Sequence, residues 1–127
     1  MTTKITTTTL AREKYAEALA GTNNVVVVSD IAFGNEGHDA EGEPIDPDPD
    51  WIEVPGELLV KTLESFEVVD GVIVDMLGIL EQDELVGEDI SSAGIYDNDG
   101  DLLAVATFNP IPKGDDDKLE LDWDTIF

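Results

Sequence analysis

The chain has no cysteine, so disulfides, thiol nucleophiles and thiolate metal sites are excluded. Basic residues are nearly as scarce. Six Lys and Arg stand against 30 Asp and Glu, a net charge of −24, and Arg12 is the lone arginine. Without a basic patch to follow a phosphate backbone, the sequence predicts no nucleic-acid binding. An anionic membrane surface repels the chain for the same reason. Histidine occurs once, as His38. It has no second His or Cys and no motif-fixed Ser or Asp partner, and reads as an exposed loop residue. No stretch approaches the roughly 20 apolar residues that span a bilayer. The start, MTTKITTTTLAREKYAEALAG, lacks the charged segment and apolar run of a secretion signal. The expectation is a soluble protein made in the cytoplasm.

What is present is acid, in an otherwise ordinary composition with 42% hydrophobic residues over 127 positions. That is enough chain for one domain, 1–127, with a real core. Three readings of the charge compete: a solvated surface, adaptation to a high-salt habitat where counterions screen the repulsion, and a basic partner, in the extreme a protein that mimics DNA.

Periodicity organises the rest. Residues 1–9 are Thr-rich and read as extended or frayed. Leu10 to Ala20 reads as a helix, with Ala11, Tyr15, Ala18 and Leu19 on one face, Thr9 as N-cap and Gly21 as stop. NVVVVSDIAF, residues 24–33, is β-branched and flanked by apolar residues, the pattern of a buried central strand. Residues 34–57 are dominated by Gly, Pro and Asp and form a long acidic loop. Within it, Trp51 reads either as an anchor pinning the loop to the core or as a partner contact. Residues 58–80 read as a hairpin turning at Asp70-Gly71. A three-residue loop, 69–71, would pair Val68 with Val72, Phe66 with Val74 and Val60 with Leu80. A second hairpin joins residues 90–96 to 101–108. NPIPKGDDD reads as loop. In KLELDWDTIF, Leu119, Leu121 and Trp123 alternate with Glu120, Asp122 and Asp124, the pattern of a terminal edge strand, 118–127, guarded by carboxylates. The expected fold class is therefore α+β: one N-terminal helix packed on a mostly antiparallel sheet of about six strands built from hairpins.

The densest acidic knot, AGIYDNDGDLLAVATF at residues 93–108, invites comparison with a calcium loop. An EF-hand needs Gly at position 6 and Glu at position 12. Counting from Asp97, those positions hold Leu102 and Phe108. The motif fails, and Asp97, Asn98, Asp99 and Gly100 read as a tight hairpin turn. No cofactor is expected, and no catalytic residue stands out; weak surface binding of a divalent ion stays open.

In order, TTTLAREKYAEALAG, IAFGNEG, a Pro-rich loop, ISSAGIYDNDGDLLAVATF and NPIPKG resemble the N-terminal domain of the phage tail-collar fibre proteins. GIYDNDGDLLAVA carries most of that similarity. The resemblance implies a structural virion protein of a tailed virus, placed at the tail tip after assembly in the host cytoplasm. In that family the domain docks on the baseplate and a fibre shaft follows. Here the closing strand ends the chain, which implies an adaptor onto which a separate fibre chain assembles. Partners would be tail or baseplate proteins and the separate fibre chain, and the chain would be a homo-oligomer, with a trimer as one form of it. Loop 34–57 and strand 118–127 would carry the contacts, with Trp51, Trp123 and Phe127 as anchors; the competing reading is that Trp51 and Trp123 only pack internally. Two other classes stay in view: a free acidic inhibitor that mimics DNA, and a small divalent-metal-binding domain.

Overall fold

The computed structural model describes residues 2–21 and 26–126. They form eight strands and one helix: β1 Thr3–Thr7, α1 Thr9–Leu19, β2 Val28–Gly34, β3 Glu57–Thr62, β4 Ser65–Val69, β5 Ile73–Leu80, β6 Asp89–Asp97, β7 Leu102–Pro112 and β8 Leu119–Ile126. All pairings are antiparallel, in a five-stranded sheet of order β1-β7-β6-β2-β3 and a three-stranded sheet of order β4-β5-β8. The α+β expectation fits broadly, but there are more than six strands and they make two sheets.

The two extra strands have separate causes. The Thr-rich start pairs along β7, from Thr3 opposite Phe108 to Thr7 opposite Ala104. Residues 58–80 do not make one hairpin. β3 pairs with β2, setting Val60 opposite Ala32, while Leu80 pairs with Leu119. The chain changes sheets at buried Leu63, whose N–H donates to Ser29 O at 3.1 Å; the next N–H, of Glu64, donates to Leu77 O across the other sheet at 2.8 Å. β4 and β5 do form a hairpin, with Val69 opposite Ile73, Val68 opposite Val74 and Phe66 opposite Met76. The faces are those expected, but each pair lies two positions further on. Asp70 (φ 52°) and Gly71 (φ 76°) both take the left-handed conformation at the turn centre, as a primed hairpin turn requires, and Val72 is left outside the ladder.

The middle of the five-stranded sheet is buried on both faces. On its inner face Ile31, Phe33, Ile95, Ala106 and Phe108 pack against Met76, Leu80 and Trp123 of the smaller sheet. The sheets approach so closely at Gly78 that a Cβ there would lie 2.4 Å from Ile31 Cδ1. On its outer face, Ala32, Tyr96, Leu102 and Val105 pack against Val54, with Trp51 partly buried beside them. This second core is made by the long loop folding down onto the sheet. β6 is consequently buried along nearly its whole length.

The helix starts one residue earlier than expected. Thr8, not Thr9, is the N-cap: its Oγ1 accepts the Ala11 N–H at 3.0 Å and donates to Leu102 O at 2.6 Å. Thr9 instead donates to Asp50 Oδ1 at 2.7 Å, tying the helix start to the loop. Ala11 is buried, but Leu19, expected on the packed face, is 91% exposed. β2 starts at Val28; the expected strand's first two residues, Asn24 and Val25, lie outside the described residues. β7 runs on through Asn109-Pro110-Ile111-Pro112, expected to be loop, with Ile111 opposite Ile90 and Pro112 opposite Asp89 at the strand end, where a missing N–H is tolerated.

Candidate interaction surface

The hairpin between β6 and β7 turns through Asp97-Asn98-Asp99-Gly100, with Gly100 at φ 82°. Asp97 organises the reversal. Its Oδ1 accepts the N–H groups of Asp99 and Asp101, each at 3.0 Å. Its Oδ2 accepts from Lys14 Nζ, which also donates to Asp101 at 2.7 Å and Asp99 at 3.2 Å. Three carboxylates thus converge after all, and the ammonium of a helix residue sits among them as their cation. Burial works against charge on both sides. For Lys14 its hydrogen bonds to Asp101, Asp97 and Asp99 outweigh it and hold the amine above its ordinary range. For Asp97 burial pushes the carboxyl up, but Lys14 and the two backbone N–H groups win and hold it below the usual carboxylate range.

A second acidic group lies on the outward face of the smaller sheet. Asp75 on β5 is opposite Asp124 on β8 and Glu67 on β4, with Asp122 diagonal to it. Like charges directly across a ladder repel. Asp75 Oδ1 is shielded from solvent without a fixed donor. A proton shared with Asp122 and Asp124 supplies one, and this sharing, with burial and repulsion, pushes Asp75 up to about 7. Either triad has its oxygens within 4.8 Å of one another. A hard divalent ion would find only three side chains in each, where calcium takes six to eight oxygens. The first triad already holds Lys14.

Loop 35–56 is built rather than slack. Asp39 Oδ1 accepts from the Glu41 and Glu43 N–H groups at 2.9 and 3.0 Å. Thr107 Oγ1 donates to Ile45 O at 2.6 Å, Ser92 Oγ to Pro55 O at 2.7 Å, and Lys4 pairs with Asp46 at 2.7 Å. Trp51 therefore sits where the anchor reading put it, half-buried over the outer core. His38 is no free loop residue: its Nδ1 lies 2.7 Å from Ser91 Oγ, which also accepts the Gly37 N–H at 2.8 Å. Nothing in the sequence pairs two residues 53 apart. Ser91 is fully buried, so this pair braces the loop.

The edges are the accessible part. β8 has no strand neighbour beyond β5 among the described residues. Its Leu119, Leu121 and Trp123 face inward, while Glu120, Asp122 and Asp124 line its outer face. Trp123 is 5% exposed and belongs to the core. Phe127 lies outside the described residues. Two features escaped the sequence reading. One is a cavity of about 190 Å³ between β1, β7 and β8. The other is the β4 edge, where Phe66 and Val68 are more than half exposed beside an open groove reaching Tyr15 and Val74.

These features define a two-sheet β protein with one face sealed by its own loop and with open strand edges. Comparison with protein-family models, with curated proteins and with solved structures gives no match. The resemblance to the tail-collar fibre proteins therefore rests on the residue pattern alone.

Proposed function

We propose that the chain is a non-catalytic assembly module, an adaptor in the tail of a tailed virus that joins tail or baseplate proteins to a separate fibre chain. The observation that carries this reading is the segment ISSAGIYDNDGDLLAVATF. It holds the strongest family-like pattern and folds as the central β6–β7 hairpin, its turn locked by Lys14. Two features support assembly over chemistry. Ser91 of the Ser–His pair is buried, and Ile5, Leu58, Val60, Phe66 and Val68 are exposed apolar groups on the edge strands β1, β3 and β4, a common basis for strand-addition contacts. The free β4 edge, with Phe66 and Val68 exposed, supports self-association into a homo-oligomer. Antibody labelling of purified particles in the electron microscope tests the reading: signal at the tail tip is expected, and absence of the chain from particles overturns it.

A second reading, a free acidic mimic of DNA, is favoured by one observation. Glu120, Asp122 and Asp124 form a row on β8, flanked by Asp75 and Glu67, and successive outward residues of a strand lie about 6.6 Å apart. Pull-down against nucleases and other DNA-binding proteins tests it, and failure to retain any of them counts against it.

A further inference from the structure

At its β8 edge the smaller sheet stops short of the larger. It ends at β8, while the sheet it covers continues through β7 to β1. Ile5 of β1 lies opposite Ala106 and Thr3 opposite Phe108. Ile5 therefore points to the same inner face as the core residues Ala106 and Phe108, yet it is 60% exposed. Over this uncovered strip lies the 190 Å³ cavity, walled on its other side by Leu121 and Trp123 of β8. An apolar cavity of about 150 Å³ accommodates a benzene-sized group, so this one has room for an aliphatic side chain or two. Beside it runs the backbone edge of β8, unpaired among the described residues, a ready template for another strand.

We propose that this slot accepts a strand from a partner protein, added to β8 as the fourth strand of the smaller sheet, with apolar side chains facing Ile5 and Phe108 and alternate Lys or Arg side chains facing outward. Two things fix the occupant. The groove is apolar and lies inward, which sets one face of the incoming strand. The outward residues of β8 are Glu120, Asp122 and Asp124, all carboxylates, and an added strand sets its outward side chains about 5 Å from them, Cβ to Cβ. Opposite charges there attract and like charges repel. A second copy presenting β8 would bring the same acids face to face, between two chains of net charge −24 each. The occupant is therefore a basic, alternating strand of another protein, and the inference holds whether or not that protein belongs to a virion. Arrival of cations beside Asp122 and Asp124 also relieves the crowding that makes Asp75 share a proton, so docking near neutral pH releases protons.

The test uses a synthetic peptide alternating Lys and Val over about eight residues, the length of β8. A peptide of the same composition with Lys and Val in separate blocks serves as control, as does an alternating Glu-Val peptide. Titration calorimetry at the lowest salt that keeps the chain folded, with amide shifts mapped by NMR, should show 1:1 binding of the alternating Lys peptide alone. Shifts should be confined to β8 and β1. Repeating the titration at pH 7 in buffers of different ionisation enthalpy should reveal proton release. Ile5→Lys, at an exposed position, should weaken binding tenfold or more. Asp122→Lys with Asp124→Lys should transfer the preference to the Glu peptide. No binding, equal binding of the block peptide, shifts centred on β4, or a chain that dimerises through β8 without peptide would each overturn the proposal. The mapping on the unaltered chain decides even where a variant folds poorly.

Discussion

Lys14 shows how much one side chain can carry. It is the counter-ion of three carboxylates, one of them, Asp97, fully buried. Removing one partner of a buried pair leaves the other charge uncompensated, typically at about 3–5 kcal/mol. Lys14→Met is expected to lose about 3 kcal/mol in denaturant unfolding, and to lose much less in an Asp97→Asn background. Equal losses in both backgrounds would show that the pair is not coupled. Asp75 works in the opposite direction. Its carboxyl binds protons more tightly folded than unfolded, with a pKa raised from 3.8 to about 7. The stability this gives is complete below the ordinary carboxyl range and drains away as pH climbs through about 7. Asp97, held low, contributes above the ordinary range and fails as pH falls. Asp75→Asn should therefore flatten the stability profile between about pH 4 and about pH 7, the window between the ordinary and the raised value, and raise stability at its alkaline end. A thermal-melting series across that range checks it, and an unchanged slope contradicts it. The turn at Asp97-Asn98-Asp99-Gly100 was legible because Asn, Asp and Gly favour a tight reversal locally. Its cation was not, because Lys14 is 83 residues away from Asp97 and no periodicity links them.

Elements were legible where a strand has one wet face and illegible where tertiary contacts decide. The alternation Leu119-Glu120-Leu121-Asp122-Trp123-Asp124 becomes β8 as read, an edge strand with its acids outward. The sheet change between β3 and β4 was hidden, because a turn signal at Asp70-Gly71 and apolar residues on both sides fit one long hairpin equally well. Only the packing separates them: Leu63 is buried at the crossing, while Leu58 and Val60 on β3 stay partly open. The Thr-rich β1 carries little hydrophobic pattern, and β7 recruits it through backbone pairing. How closely the sheets pack is tested at Gly78. Ile31 is fully buried, so its Cδ1, 2.4 Å from a modest new Cβ, cannot swing aside freely. Gly78→Ala should cost about 1–3 kcal/mol by overpacking, and adding Ile31→Val, which deletes that Cδ1, should return part of the loss. Two simply additive losses would mean the groups do not meet.

At the scale of the whole molecule the charge dominates. Thirty acids against six bases cannot all be paired, and ion pairs are concentrated at a few points: Lys14 at the hairpin turn, Lys4 with Asp46 on the loop, Lys61 with Glu84 and Lys118 with Glu81. The remaining carboxylates, including the opposed Glu67, Asp75 and Asp124, repel one another in the folded state more than in the expanded chain. Salt acts on this directly, since the screening length falls from about 8 Å at 0.15 M to about 3 Å at 1 M. Cross-ladder acids only about 5 Å apart are therefore weakly screened in ordinary buffer and well screened at molar salt. The melting temperature should climb by about 10 °C or more between these conditions, corresponding to a few kcal/mol for a chain of this size. The Asp75→Asn variant should climb less, because one of the repelling groups is gone, whereas Lys14→Met should climb more, because ions in solution then screen the triad its ammonium had neutralised. Melting curves of all three proteins across a salt series, at a fixed pH above 7, separate this from a general salting-out effect, which would raise all three equally. A flat response in the unaltered chain would show that its acids are already balanced in the fold, and would remove the case for a high-salt habitat.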